Sequence, residues 1–233
     1  MNVLIACEFS GIVRDAFRRL GHNAWSCDLL PCEGDSRWHH VGSVLPLLYP
    51  HHRSKLYSPH SYEQMLWDVR WDMMIAHPPC TRLANSGVRW LHKPPNGKTM
   101  ARIWRELDDG AAFYKMLRDA PVLLKAIENP IMHKHARERI GMGHRQIVQP
   151  WWFGDKAFKA TGLELIGLPD LVPTNKLAPP KKGTDEHKAW SAVHRASPGP
   201  KRWKIRSKTF QGIAEAMAQQ WGGVLPGERK GEG

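Results

Sequence analysis

The sequence predicts an α/β fold with a mostly parallel central sheet and helices on both faces. Short apolar runs alternate along the chain with segments in which apolar residues recur at helical spacing, and this alternation is typical of such a fold. The 233 residues can bury one sizeable core and leave little for a second domain. Hydrophobic residues make up 42% of the chain, which excludes wholesale disorder.

The first part of the chain predicts a βαβ unit. Residues 2–6 form an apolar run like that of a strand buried on both faces, and a turn containing Gly11 follows. Apolar residues then recur at helical spacing over 12–20, and a second strand over 23–27 ends at Asp28. Strand, glycine-containing turn, helix, strand and acid in this order indicate one βαβ unit.

Two further buried strands are predicted over 71–76 and 122–127. Residues 31–62 are rich in Pro, His and Gly, which indicates loops. Between the two strands, residues 81–100 predict a long, mobile loop and 103–118 predict a helix.

The last part of the chain predicts a short helix near 132–140, a strand around 163–166 and a final helix over 210–221. Residues 169–200 carry many Pro, Lys and polar residues with little periodicity. We therefore expect a surface excursion before the last helix.

The charge of the chain favours a polyanionic partner. The net charge is +12 with a pI of about 9.8, and the segment 176–208 holds ten basic and two acidic residues, a net charge of +8. Such clustering is typical of nucleic-acid binding, whereas a general contribution to solubility is the alternative.

A soluble cytoplasmic protein without a membrane partner is expected. No run reaches the roughly 18 apolar residues that a membrane span needs, and the first residues lack a signal-peptide pattern. The four cysteines form no short Cys-x-x-Cys pair, so we expect reduced thiols.

Reactive groups of an open α/β sheet lie just beyond the carboxyl ends of its strands. Four predicted strand ends carry polar or reactive residues, namely Phe9-Ser10-Gly11, Asp28, Pro78-Pro79-Cys80 and Glu128-Asn129-Pro130.

Cys80 is the candidate nucleophile. Two prolines precede it and fix the backbone, so its thiol is expected to project from a rigid turn. A thiol near basic groups or a helix N-terminus has a lowered pKa and becomes a usable nucleophile. The alternative is a buried, inert cysteine, the role that we assign to Cys7, Cys27 and Cys32.

Two carboxylates complete the candidate site. A carboxyl pressed into an apolar site has a raised pKa and can hold a proton near neutrality, which is the expectation for Glu128. Asp28 is placed to accept hydrogen bonds from a cofactor ribose. A surface acid that begins the next helix is the alternative for Glu128, and a helix N-cap or solvated strand end is the alternative for Asp28.

Other residue types give weaker signals. The histidines at 39, 40, 51, 52 and 60 match no metal-ligand spacing, so no metal is expected. Four tryptophans would be able to stack on bases if they were exposed, namely Trp90, Trp151, Trp152 and Trp203.

Taken in order, these motifs resemble those of the cytosine-5 DNA methyltransferases, in particular a compact phage or prophage version. Residues 9–11 resemble the Phe-x-Gly motif that holds S-adenosylmethionine, and Asp28 falls where the family has an acid on the cofactor ribose. Pro79-Cys80-Thr81 is similar to the Pro-Cys-Gln nucleophile motif. Glu128-Asn129 resembles the Glu-Asn-Val motif that contacts the cytosine ring, and Lys159 is the counterpart of a basic residue before a strand.

The resemblance implies a Rossmann-like class I methyltransferase fold, S-adenosylmethionine as cofactor, DNA as partner and methylation of cytosine C5 through a covalent adduct between Cys80 and C6. The catalytic residues that it implies are Cys80, Glu128 and Lys159. The implied cofactor-binding residues are Phe9, Ser10, Gly11, Asp28 and Pro78. The implied substrate-binding residues are Pro79, Thr81, Ser86, Asn129, Lys201, Arg202, Lys204 and Arg206.

The resemblance also implies a division of the chain. Residues 1–166 and 209–225 would form the catalytic domain, 167–208 a small basic target-recognition region and 226–233 a flexible tail.

The sequence departs from the family pattern at several positions. Val13 and Arg14 stand where the family has further glycines, Ser43 stands where it has an acid and Thr81 replaces its glutamine. Two alternatives therefore stay open. One is the same fold transferring another one-carbon group or acting on RNA or a nucleotide, and the other is a non-catalytic DNA-binding protein.

Overall fold

The computed structural model describes residues 1–53, 61–141, 146–195, 199 and 202–224. A seven-stranded sheet runs through this part of the chain. Its strands are Asn2–Ala6 (β1), Asn23–Asp28 (β2), His39–Val41 (β3), Met73–Ala76 (β4), Leu124–Pro130 (β5), Gln146–Val148 (β6) and Thr161–Ile166 (β7).

The strand order is β3-β2-β1-β4-β5-β7-β6. Neighbours among the first five strands are parallel, whereas β7 is antiparallel to both β5 and β6. The order reverses between β1 and β4, and ligands of open α/β sheets bind at such a reversal, beyond the carboxyl ends of the strands. Ala6 pairs with both Cys27 and Ala76, so the ends of β1, β2 and β4 lie side by side.

Helices cover both faces of the sheet. The α-helices are Ile12–Arg19 (α1), Leu45–Leu48 (α2), Ser61–Trp67 (α3), Met100–Arg118 (α4), Lys134–Ile140 (α5), Asp185–Trp190 (α6), Ala192–Arg195 (α7), Arg202–Ser207 (α8) and Gln211–Trp221 (α9). Short 3₁₀ helices span Ser36–Trp38, Pro50–His52, Asn85–Leu91 and Pro150–Trp152.

Alternation along the strands divides the core into two layers. Leu4 and Ala6 face one layer with the apolar stripe of α4, which buries residues such as Leu107 and Tyr114. Val3 and Ile5 face the other layer with α1 and α9. The sheet is therefore buried between two helical layers, and the predicted Rossmann-like α/β fold, with a mostly parallel sheet and helices on both faces, is confirmed.

Several elements differ from the sequence-based expectations. The segment 31–62 contains β3 and short helices, and 81–100 contains a 3₁₀ helix that buries Leu91. β5 continues to Pro130 because Glu128 and Asn129 pair with β7, so these two residues lie within the strand end. The excursion after Pro169 holds α6, α7 and α8, whose shortness leaves little periodicity to read.

The predicted tail, residues 226–233, lies outside the described residues. Within the described ranges, no helix combines the length and apolar character needed to cross a membrane.

Replacement by alanine is expected to have opposite effects on stability at two glycines that lie within helices. A Cβ on Gly212 would lie 2.0 Å from the carbonyl oxygen of Phe153, so Gly212→Ala should lower the free energy of unfolding by about 2–3 kcal/mol. A Cβ on Gly110 would meet Leu83 at an ordinary 3.7 Å, so Gly110→Ala should raise it by about 0.5–1 kcal/mol. Urea unfolding of both variants measures the difference, and equal effects would contradict this packing of α9.

Candidate active site

The turn after β1 is built around a buried carboxylate. Glu8 accepts hydrogen bonds from the Ser10 hydroxyl (3.2 Å) and from the backbone N–H groups of Val13 (2.8 Å) and Arg14 (3.3 Å). Gly11 precedes α1 with φ +75°, a conformation that favours glycine. Glu8 thus satisfies the first amides of α1 from within the chain, and Ser10, a predicted cofactor contact, is bonded to it.

Arg14 occupies the space that further glycines would leave open. Its side chain is fully buried, and it donates to Asp15 (2.8 Å), Ser26 (3.0 Å) and Cys32 (3.4 Å). A Cβ on Gly11 would lie 2.5 Å from its terminal nitrogen. Arg14 therefore links α1 to β2 and to the segment after it through a buried network of hydrogen bonds.

The end of β2 combines an acid with exposed apolar surface. Asp28 is half-buried and accepts a hydrogen bond from the N–H of Leu30 (3.0 Å). Leu29 is 76% exposed, and Val41, which pairs with Asp28 across the sheet, is 52% exposed. A carboxylate beside unburied apolar side chains fits the ribose and base of a nucleoside.

Cys7 follows β1 in a strained conformation, with φ +60° at a residue other than glycine. Burial and the nearby Asp28 carboxylate raise the pKa of its thiol to about 12. Burial also raises the pKa of the Cys27 thiol. Both thiols stay protonated, which fits the packing role assigned to them.

The turn after β4 is held rigidly. The N–H of His77 donates to the Ala6 carbonyl (2.9 Å), and Pro78 is buried. The side-chain amide of Asn129 donates to the Pro78 carbonyl (3.3 Å). The carbonyl of Cys80 accepts from two later N–H groups, so backbone contacts fix both sides of the half-buried cysteine.

Asn129 does not face open space. Its side chain is fully buried, and its bond to Pro78 assigns it to supporting the turn. The direct substrate contact expected for Asn129 does not fit this position, because its pairing with Gly162 of β7 places it inside the sheet.

Glu128 is buried among cationic and polar groups. Its carboxylate lies 2.6 Å from Nδ1 of His77 and accepts a hydrogen bond from Thr209. Burial alone would raise its pKa, but Lys159, His77 and Thr209 outweigh burial and lower it to about 2. The expected raised pKa of Glu128 is therefore wrong in direction, because the site brings cations to the carboxylate.

Cys80 has the opposite shift from the one expected. Burial and the Glu128 charge raise the pKa of its thiol, whereas Lys159 and Arg206 act in the lowering direction without prevailing. The resting thiol is therefore protonated. The Glu128 carboxylate and two cations lie close enough to act on this thiol, and the expected lowering of its pKa is wrong.

Lys159 and the start of α9 close the site from the far end of the chain. The Lys159 ammonium is buried, donates to the Lys208 carbonyl (3.0 Å) and lies 6.0 Å from the centre of the Phe210 ring. Since Thr209 contacts Glu128, the segment before α9 returns to the end of β5.

The basic residues predicted to bind substrate do not all face the same partner. Lys204 and Lys208 form ion pairs with Glu33, with N–O distances of 2.8 Å and 2.5 Å. Lys204 also lies 5.5 Å from the centre of the buried Phe9 ring, so α8 lies across the turn after β1. The positive charge of Arg206 acts to lower the pKa of the Cys80 thiol.

The remaining predicted contacts are simpler. Pro79, directly before Cys80, is exposed, as are Thr81 and Ser86 in the loop after Cys80, and Arg202 is half-buried. Lys201 lies outside the described residues.

The aromatic and histidine predictions have mixed outcomes. Trp90, Trp151 and Trp152 are partly exposed, and the side chain of Trp203 lies outside the described set, as does His60. The described residues hold no cluster of three potential metal ligands. His39 instead bonds to Ser26 (2.8 Å) and to the Leu30 carbonyl (2.9 Å).

Sequence reasoning missed three side chains that shape the site, namely Glu8, His77 and Thr209. His77 directly precedes Pro78 and so lay within a recognised motif. Glu8 likewise stands beside Phe9, and both residues offered a local signal. Thr209 carried none, because only the tertiary fold brings it to Glu128.

The sequence matches no protein-family model and no curated protein. Among solved structures, it resembles a candidate DNA modification methyltransferase encoded within a prophage of E. coli, with a TM-score of 0.43 and 12% sequence identity. The likeness covers 76% of this chain and 52% of that one, so this chain spans about half the length of that protein. The fold assignment therefore rests on the strand order itself.

Proposed function

We propose that this protein methylates cytosine C5 in DNA, with S-adenosylmethionine as methyl donor and Cys80 as nucleophile. The observation that carries the proposal is the proximity of Cys80, beyond the end of β4, to Glu128, near the end of β5, and to Lys159, before β7. A thiol, a hydrogen-bonding carboxylate and a buried cation are the groups that activation of a cytosine ring requires.

The residues beyond β1 and β2 fit the adenosine part of the donor. Asp28 would accept hydrogen bonds from the ribose hydroxyls, and Leu29 would cover the base. Gly11 gives the turn after β1 its positive φ, and Pro78 would hold the turn after β4. When bound, S-adenosylmethionine supplies an electrophilic methyl group.

Cys80 makes the ring of cytosine nucleophilic. Its thiolate would form a bond to C6, which makes the C5=C6 electron pair available at C5. C5 would take the methyl group while the sulfonium–methyl bond breaks and S-adenosylhomocysteine leaves. Loss of the C5 proton to solvent and breakage of the Sγ–C6 bond would then restore the ring and the thiolate. Lys159 and Arg206 favour the thiolate against the effects of burial and of Glu128.

Glu128 orients the base. With its pKa near 2 it is a carboxylate in the resting enzyme, so it is suited to accept a hydrogen bond from the 4-amino group of cytosine. This contact distinguishes cytosine from thymine, whose carbonyl at that position offers no proton. A target inside a duplex must first leave the base stack.

The basic segment would supply contacts to DNA phosphates. Arg206 is the best-placed member, because its charge acts on Cys80. Arg206→Ala is expected to weaken DNA binding about 10-fold at moderate salt and to reduce the slope of log Kd against log salt by about 0.9. Fluorescence anisotropy at several salt concentrations measures both quantities.

Arg19→Ala is the matched control, since Arg19 is an exposed arginine of α1 that pairs with Glu215. It should leave both affinity and slope unchanged. Equal losses in the two variants would show that net charge, and not a DNA surface around Arg206, governs binding.

One observation favours a second candidate function, a non-catalytic DNA-binding protein. The Glu8 carboxylate accepts hydrogen bonds from two backbone N–H groups in the first turn of α1. In nucleotide-binding folds, an anionic group of the ligand binds at such a helix N-terminus. Calorimetry with S-adenosylmethionine separates the two functions. Absence of binding together with intact DNA affinity would favour the non-catalytic protein.

The direct test incubates the protein with DNA and methyl-labelled S-adenosylmethionine and digests the product to nucleosides. Label in 5-methylcytosine supports the proposal. Label in N4-methylcytosine or N6-methyladenine, or in RNA alone, would contradict it.

A further inference from the structure

The His77 side chain stands out among buried polar groups at the site. Its side chain is 9% exposed, Nδ1 lies 2.6 Å from the Glu128 carboxylate, and the buried Nε2 has no hydrogen-bond partner among the described residues. The Pro-Pro-Cys turn fixes its backbone, and Glu128 is 8% exposed. An imidazole and a carboxylate thus form a close pair shielded from water, next to the proposed nucleophile.

We propose that His77 and Glu128 share one proton and that His77 is the positioning residue that supplies this proton, through Glu128, to N3 of the target cytosine. This inference rests on the proposed function and deepens it. It resolves a difficulty of the site, since a Glu128 carboxylate without its own proton has none to give to N3.

The charges around His77 support this assignment. Burial opposes a charged imidazole, but the hydrogen bond and charge of Glu128 outweigh it and raise the pKa of His77. Glu8, from the turn after β1, acts in the same direction, and Lys159, from the segment before β7, acts against it. These groups come from three separate segments of the chain, and the two carboxylates prevail.

The pair itself balances the proton on N3, and the C5 proton leaves to solvent water. As the Cys80 thiolate bonds to C6, N3 takes a proton from Glu128, and Glu128 takes the Nδ1 proton of His77. The imidazolium becomes neutral, Glu128 remains a carboxylate and the adduct carries no charge. When the C5 proton has left and the Sγ–C6 bond breaks, the N3 proton returns to the pair.

A merely structural His77 would only hold Glu128 in place. His77→Asn separates the two roles, because an Asn side-chain amide can donate to Glu128 from near the position of Nδ1 but cannot release a proton at neutral pH. We expect His77→Asn to lower kcat about 100-fold with little change in KM.

The pH profile gives a second readout. The raised pKa keeps His77 charged below it, so wild-type activity should fall as the pH rises through that value. His77→Asn should lack this alkaline fall and continue to rise as Cys80 deprotonates. A His77→Asn variant with wild-type kcat and pH profile would overturn the inference.

A measurement on the wild-type protein avoids any folding defect of the variant. In protein labelled with ¹⁵N at histidine, we expect His77 to carry protons on both ring nitrogens at pH 7, with its signal assigned by its loss in His77→Asn. A neutral His77 at pH 7 would overturn the inference. If the wild type forms no 5-methylcytosine, the proposed function fails, whereas an active enzyme with neutral His77 contradicts this inference alone.

Discussion

Replacing Cys80 with alanine is expected to lower formation of 5-methylcytosine by on the order of 10⁴-fold or more. The loss follows from the chemistry, since without a bond at C6 the ring carbon C5 is too electron-poor to attack a methyl group. DNA affinity should change little, because Cys80 is an uncharged thiol in the resting protein. Single-turnover transfer of labelled methyl groups, together with DNA binding by anisotropy, measures both effects.

Cys32→Ser is the matched control for this prediction. Cys32 is also half-buried, and it accepts a hydrogen bond from Arg14, which serine can replace. We expect at least half of the wild-type activity from this variant. Full activity in Cys80→Ala would contradict covalent catalysis by this residue, and loss only in Cys32→Ser would move the nucleophile elsewhere.

Glu128→Gln should reduce the rate of methyl transfer on the order of 10³-fold. The amide keeps the volume of the side chain but loses the charge that orients the 4-amino group and pairs with His77. Glu164→Gln is the control, because Glu164 is a largely buried carboxylate on β7 that bonds to Tyr114 outside the site (2.7 Å). Similar losses in both variants would indicate a general effect of removing buried charge.

The same carboxylate predicts a dependence of stability on pH. Since the pKa of Glu128 is lowered to about 2 on folding, its contribution is fully present above the usual pKa of about 4.3 and is lost as the pH falls toward 2. The contribution is about 3 kcal/mol. Urea unfolding between pH 7 and pH 3 should show a shallower acid loss in Glu128→Gln than in the wild type, and parallel curves would contradict the buried ion pair.

Local sequence patterns predicted the elements that position the site. The βαβ unit of β1, α1 and β2 was predicted almost to the residue, because a buried strand and an amphipathic helix each have a distinct apolar period. β3 was missed, since its three residues, His39–Val41, include two buried histidines that read as polar loop. The sheet context, and not local composition, makes this segment a strand.

The ends of β5 show a second limit. Glu128 and Asn129 were expected to follow the strand, but β7 adds a partner strand that extends it to Pro130. The placement of Glu128 near Cys80 was nevertheless predicted. β4 and β5 are parallel neighbours, so residues at their carboxyl ends lie close together.

The electrostatics of the site depended on contacts that are remote in sequence. Lys159, Arg206 and Thr209 reach Cys80 and Glu128 only through the fold. Lys159, His77 and Thr209 reversed the expected pKa shift of Glu128, whereas burial and the Glu128 charge reversed that of Cys80. The types and order of the reactive residues were therefore readable from the sequence, and their protonation states were not.

Trapping the covalent adduct tests most directly whether Cys80 is the nucleophile. Fluorine at C5 of cytosine cannot leave as a proton, so after methylation the Sγ–C6 bond should persist. We propose incubating the protein and S-adenosylmethionine with random-sequence duplexes that contain 5-fluorocytosine, followed by protease digestion and mass spectrometry. If Cys80 is the nucleophile, we expect a methylated fluorocytosine adduct on the peptide that contains it. An adduct on another cysteine, or none while unmodified DNA is methylated at C5, would contradict it.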